Sequence, residues 1–311
     1  MAKELRGSYT VAVTPFTDDR SAVDVAALKD FLDWQLDVGV PGIIALGTVG
    51  EFLAVSDEER RLIVQSYVDH INGRIPVLVG TMNAHTPNAV RYSREAEELG
   101  ADGLMIVPPY YYTPTEDEIF RYYGAIDAAI SIPIMLYNNP VTSNVDMSAE
   151  LVARLGDSFE NVQYIKESSQ ELGRVRDVLE ASDGRMKVFA GERVVDSCLL
   201  GAIGYVNPYG SYIPVPSYRI FELVDQGRLD EALSVQRLID RIDHIIEEGH
   251  PTYGHQCYAK ALAAMVGHPV GDVREPLTTF SQLGKEGQER MSRIKPIIDE
   301  LESLVGSMNF D

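Results

Sequence analysis

Basic charge is scarce in this 311-residue chain: 27 Lys and Arg stand against 47 Asp and Glu, a formal net charge of -20. A surface that acidic repels phosphate backbones and anionic lipid headgroups, which sets nucleic-acid binding and polybasic membrane attachment aside. Long apolar runs are missing as well. No stretch approaches the ~18 consecutive apolar residues that mark a spanning helix, and Met1 to Thr10 lacks the apolar core of a secretion signal, so a cytoplasmic protein is expected. Cysteine is limited to Cys198 and Cys257, without a CxxC pair and both in apolar, helix-like contexts. Buried free thiols are expected there, rather than a disulfide or a nucleophile. No GxGxxG follows the first apolar run, which gives way to the polar Phe16-Thr17-Asp18-Asp19, so an open dinucleotide-binding sheet is disfavoured.

What the chain has in quantity is repetition. Short apolar, β-branched runs occupy Tyr9 to Pro15, Gly42 to Thr48, Pro76 to Met82, Gly103 to Val107, Pro133 to Asn138, Val162 to Glu167, Lys187 to Gly191 and Ile203 to Asn207. Between them lie Asp24 to Val38, Ser56 to Ile71, Thr86 to Leu99, Glu116 to Ile130 and Gln170 to Ala181, with apolar residues spaced by three and four. Ser56 stands three residues before Glu59, and Thr115 three before Glu118, the pattern of a helix capping box. Continuously apolar strands imply a parallel sheet covered on both faces. Eight consecutive βα units close most economically as a (β/α)8 TIM barrel, with reactive residues at the C-terminal strand ends. The barrel is expected over residues 1–225. Over 226–311 the alternation stops, and Leu229 to Glu248, Tyr253 to Val266 and Glu286 to Val305 read as a helical extension packed on the barrel or across an oligomer interface.

Lysine numbers only seven: Lys3, Lys29, Lys166, Lys187, Lys260, Lys285 and Lys295. Lys166 alone falls near the C-terminal end of an expected strand, and period-two alternation puts it on one face with Val162 and Tyr164. If that face is the barrel interior, desolvation favours the neutral amine, which can attack a carbonyl and form a Schiff base. The competing reading is a lysine that pairs with Glu167 and reaches solvent. After the second run, Gly47-Thr48-Val49-Gly50-Glu51 lets backbone amides converge on a small carboxylate, with Thr48 adding a hydroxyl; a tight turn without function would look alike. The fifth run ends Leu136-Tyr137-Asn138-Asn139-Pro140, which sets a phenol at the rim, either as a proton carrier or as a packed hydrophobe. Pro108-Pro109-Tyr110-Tyr111-Tyr112-Thr113-Pro114 follows the fourth run and is suited to a rigid interface loop.

Jointly, a strand-end GTxGE loop, the Tyr-Tyr after strand four, the YNxP after strand five and a Lys in strand six resemble the family of dihydrodipicolinate synthase and N-acetylneuraminate lyase, over nearly the whole chain. The resemblance implies a class I lyase acting on 2-oxo acids such as pyruvate, a dimer-of-dimers homotetramer, and no metal or organic cofactor. By motif, Lys166 would form the imine and Tyr137 would move protons above it. Thr48 would relay between Tyr137 and Tyr111, the latter contributed by the adjacent subunit. Gly47 and Val49 would lie at the keto-acid carboxylate, Gly191 near the bound acid, and Ile203 where the backbone of strand eight faces the lysine.

Three departures bear on the substrate. The arginine that follows YNxP by two residues in dihydrodipicolinate synthases is Thr142 here, and the usual second hydroxyl of the glycine loop is Val49. Sialate lyases commonly carry an acid two residues after the strand-seven glycine; this chain has Arg193, a candidate reader of a second carboxylate or a polar chain, or else a solvent-facing residue in the first turn of a helix. Gly50-Glu51-Phe52 is similar to deoxy-oxoglucarate dehydratases of the same family. The expectation is therefore a Schiff-base dehydratase, deaminase or aldolase for a 2-keto-3-deoxy sugar acid or a hydroxyproline-type intermediate. The alternatives are 4-hydroxy-tetrahydrodipicolinate synthesis from pyruvate and aspartate semialdehyde, and an inactive keto-acid-binding member.

Overall fold

Each of the eight apolar runs becomes a strand whose residues are almost all buried, in a computed structural model of the chain that describes residues 4–248 and 255–310. The strands are β1 (Gly7–Val11), β2 (Gly42–Ala45), β3 (Val77–Gly80), β4 (Gly103–Ile106), β5 (Ile134–Asn138), β6 (Val162–Glu167), β7 (Lys187–Ala190) and β8 (Gly204–Asn207). They hydrogen-bond in sequence order, all parallel, and β8 pairs with β1 to close the barrel. Around them run α1 (Val25–Asp37), α2 (Asp57–Ile71), α3 (Thr86–Glu98), α4 (Glu116–Asp127), α5 (Pro140–Ser143), α6 (Ala149–Ser158), α7 (Arg174–Ala181), α8 (Val194–Leu199) and α9 (Pro214–Asp225). Then follow α10 (Leu229–Glu247), α11 (His255–Met265) and α12 (Phe280–Gly306). No described helix is long and apolar enough to cross a membrane.

The helix starts follow their capping chemistry. Ser56 and Thr115 each close a capping box, with Glu59 and Glu118 respectively, and Asp24 accepts from the amides of Ala26 and Ala27. Two helix starts differ by more than one residue from those read in the sequence. α7 begins at Arg174 rather than Gln170, because Gln170 takes a left-handed φ of 66° that no helix continues through. α12 begins at Phe280 rather than Glu286: Thr279 caps it with Gln282, and Gly284 breaks it at φ 57°. The expected start of the preceding helix at Tyr253 lies outside the described residues. Cys198 on α8 and Cys257 on α11 are free thiols, and burial pushes both up to about 12.

The barrel is closed from below by aromatic rings. Tyr9, Tyr164 and Phe189 meet edge to face, with centroids 5.7 and 5.9 Å from that of Phe189, and all three are buried. Gly204 makes room for them, since a Cβ there would fall 2.2 Å from the Phe189 ring. Two residues beyond Tyr164 on the same face comes Lys166, so the floor sets the depth of the site above it.

Candidate active site

Register brings the site together. In the β5–β6 ladder Tyr137 lies opposite Lys166, and in the β6–β7 ladder Lys166 lies opposite Phe189. Lys166 is only 6% exposed and its ammonium stands 4.0 Å from the centre of the Tyr137 ring. Glu167, the neighbour that could have neutralised it, faces the other way. Its carboxylate accepts from Asn138 Nδ2 at 3.1 Å and from the Ser169 amide at 2.7 Å, while Asn138 also reaches Asp146, which Arg174 holds at 2.9 Å. Strand alternation thus separates a structural carboxylate outside the barrel from a lysine inside it.

The Tyr137 hydroxyl accepts from Asn139 Nδ2 at 2.7 Å. Burial alone would raise this phenol. The charge of Lys166, joined by hydrogen bonds with Lys166, Asn139 and Thr48, outweighs burial and holds it below its ordinary value. Lys166, Tyr137 and Thr48 therefore form one contiguous set. Thr48 and Val49 border the cavity, and among the described residues their amides have no protein acceptor, which leaves them free for an anion. Gly47 lies just behind, where a Cβ would come 2.6 Å from Val11 Cγ1. Gly191 closes the opposite wall: its amide bonds the Glu167 carbonyl at 2.9 Å, and a Cβ would collide with Ser168 Oγ at 1.7 Å.

Lys166, Tyr137, Thr48, Val49 and Gly191 line one cavity of about 280 Å³ together with Val11, Thr142, Tyr209 and Glu192. Its outer wall comes from α10 and α11, as Asp243, Glu247, His255 and Gln256. Tyr209 donates to Asp243 Oδ2 at 2.8 Å, His255 Nε2 stands 3.3 Å from Glu247, and Gln256 donates to the Thr48 carbonyl at 3.4 Å. Burial raises the Asp243 carboxyl, partly offset by His255 and the Tyr209 hydrogen bond. Burial likewise raises Glu192, with the Gln170 amide and the Lys166 charge opposing it. Donor atoms of Asp243, Glu247 and His255 lie within 4.8 Å of one another, so these residues are the ones that could share a small cation.

Two residues read from the sequence as part of this site, Arg193 and Ile203, are not brought to it, and Tyr111, expected there from an adjacent subunit, lies on the surface. Arg193 takes a left-handed φ of 46°, caps α8, and turns outward to Asp196 at 3.1 Å with its side chain 59% exposed. It borders a small side crevice rather than the Lys166 cavity, so the solvent-facing reading is the correct one. Ile203 sits just before β8 at the N-terminal mouth, where its amide bonds Val188 and its carbonyl accepts from Gly7. Both backbone groups are spent in the ladder at the wrong end of the strand. Tyr111 lies on the outer surface, 81% exposed at a φ of 80°, edge to face with Tyr112; it does not enter the cavity of its own chain.

Comparison with known proteins identifies the family of the chain. Residues 4–295 match the dihydrodipicolinate synthetase family. The chain belongs to that family. Curated relatives include the 4-hydroxy-tetrahydrodipicolinate synthases of Clostridium novyi, 32% identical over 89% of this chain and 92% of that one, and of Syntrophus aciditrophicus, 30% identical over 92% and 97%. Among solved structures, the 4-hydroxy-tetrahydrodipicolinate synthase of Methylacidiphilum fumariolicum SolV superposes with a TM-score of 0.89 at 28% identity, covering 97% of this chain and 99% of that one. A prophage protein of the dihydrodipicolinic acid synthase family from E. coli K12, solved in complex with pyruvate, superposes at 0.87 with 26% identity, covering 96% and 99%. The dihydrodipicolinate synthetase family is one of lyases, and the solved relatives share this barrel.

Proposed function

We propose that the protein is a lyase that binds a short 2-oxo acid as an imine on Lys166. The observation that carries this reading is a buried lysine at the floor of a cavity, 4.0 Å from the centre of the Tyr137 ring and without a carboxylate partner on its own face. Lys166 passes a proton to the Tyr137 phenolate, the free amine attacks the C2 carbonyl, and the carbinolamine loses its oxygen as water with that proton returned by Tyr137. The resulting cationic imine accepts the electron pair of the bond broken at C3, or of the C3–H bond, as an enamine. A phenol whose ionised form is favoured can receive that proton and return it. The free amides of Thr48 and Val49 would hold the substrate carboxylate, keeping C2 above the amine.

Within this class the reading is a dehydratase, deaminase or aldolase rather than a dihydrodipicolinate synthase. Thr142 borders the cavity where the resemblance places an arginine, and its hydroxyl turns to the Asn139 carbonyl at 3.4 Å. The second reading, 4-hydroxy-tetrahydrodipicolinate synthesis, is favoured by the names of the curated relatives at 30% and 32% identity. Tyr111, projecting from the surface, is suited to completing the proton relay of a second copy in a tetramer. Reduction with borohydride in the presence of pyruvate tests the core of the proposal. The expected result is an added mass on Lys166, absent from Lys166→Ala; a wild-type protein that gains none under these conditions removes the imine. Steady-state assay with aspartate semialdehyde then separates the two readings.

A further inference from the structure

The wall opposite Lys166 is acidic. Asp243 and Glu247 stand one helical turn apart on α10 and line the cavity with His255, while Glu192 lines it too, near enough to Lys166 and Asp243 to feel both charges. Asp243 uses Oδ2 to accept from Tyr209, and among the described residues its buried Oδ1 has no partner. Among the described lining residues Lys166 is the only lysine, and no arginine is present. A ligand fixed at C2 by Lys166 therefore extends its far end towards hydrogen-bond acceptors and negative charge. A second carboxylate placed there would be desolvated against like charge, whereas a hydroxyl can donate to each acceptor it meets.

Building on the imine reading above, we infer that Asp243, Glu247 and His255 form a distal subsite that takes a hydroxylated chain and rejects a second carboxylate. The carboxylates of Asp243 and Glu247 accept from hydroxyls on the substrate's distal carbons, and His255, braced by Glu247, adds a further donor or acceptor. The subsite selects among 2-oxo acids without touching the bond that breaks, so its residues set specificity and stay outside the proton chemistry.

The test is a ratio. Condensation of pyruvate with glyceraldehyde and with succinic semialdehyde is measured for the wild type, Asp243→Asn, Glu247→Gln and the double variant. Wild-type kcat/KM is expected to favour glyceraldehyde by about tenfold or more, and the double variant to narrow that preference about tenfold, by gaining on the carboxylated aldehyde. A wild type that prefers succinic semialdehyde, or a ratio the double variant leaves unchanged, overturns the subsite. Borohydride trapping of pyruvate on these same variants reports the imine independently: an added mass on Lys166 with an unmoved ratio leaves the lyase reading standing and removes only this inference. Should neither aldehyde react, calorimetry of 2-oxo-3-deoxygluconate against 2-oxoglutarate supplies the ratio without turnover, and tighter binding of the dicarboxylate is the overturning result. A divalent ion that survives dialysis in the wild type and is lost in Asp243→Asn overturns it too, as the three side chains would then be metal ligands.

Discussion

Lys260 on α11 and Glu51 at the end of the glycine loop form an ion pair of 2.7 Å with side chains 1% and 0% exposed. Glu51 also accepts from the Arg274 amide at 2.9 Å, and Lys260 donates to the Asp272 carbonyl at 3.0 Å and stands 4.1 Å from the centre of the Phe16 ring. The C-terminal helices therefore brace the loop that carries Thr48 and Val49. Removing one partner strands the other charge away from water. Lys260→Met is expected to cost about 3–5 kcal/mol in denaturant unfolding, while the Lys260→Met/Glu51→Met double variant recovers part of the loss because no ion remains buried. A single variant as stable as the wild type would show that the pair is not buried in solution.

Tyr137 gives a spectroscopic test. The chain has 16 tyrosines, and burial pushes several of them upward, among them Tyr9, Tyr67 and Tyr205. Tyr137 moves the opposite way despite its burial, because Lys166 is charged beside it. In ultraviolet titration, the difference between wild type and Tyr137→Phe is expected to contain one phenolate that forms below the ordinary value of 10. In Lys166→Met that band moves upward. Since the shift is downward, the deprotonated form is the one stabilised by folding; that stabilisation is present above the unfolded value and is lost as pH falls through the folded one. Tyr137→Phe should lower kcat by about 10²–10⁴, the range of a lost general acid–base group.

Arg193 supplies the contrast. Its guanidinium pairs with Asp196 in solvent, so Arg193→Ala is expected to change stability by about 0–1 kcal/mol or less. It should also leave kcat/KM alike for mono- and dicarboxylate substrates. A selective loss on dicarboxylates would mean that the side chain swings into the cavity on binding.

The barrel was legible in the sequence because parallel strands covered on both faces are written as unbroken apolar runs, and the capping boxes at Ser56 and Thr115 mark helix starts in side-chain chemistry alone. Lys166, Tyr137 and Thr48 were legible for the same reason, since a polar residue stands out at the end of such a run. Asp243, Glu247 and His255 were not. On α10 the acids alternate with Ile239, Ile242 and Ile246 in a pattern shared by any solvated helix face, and only the return of the chain across the mouth turns that face into a cavity wall. Lys260 was hidden similarly, as its partner lies 209 positions away. Arg193 was left open between a substrate contact and a solvent-facing residue, because a left-handed backbone angle redirects a side chain without leaving a mark in composition. Ile203 carried its own warning, since the start of a parallel strand lies at the mouth opposite to catalysis.

The rings of Tyr9, Tyr164 and Phe189 have a kinetic consequence. Among the described residues they stopper the base of the barrel beneath Lys166, which lies two positions beyond Tyr164 on the same face. If Lys166 carries the imine proposed above, splitting a bound 2-oxo acid leaves one fragment free and the other tethered to nitrogen, and the free fragment departs first. Release is thus ordered, and in the reverse direction the tethered acid must arrive first. Product inhibition should accordingly be competitive between the two keto acids and of another type for the untethered fragment.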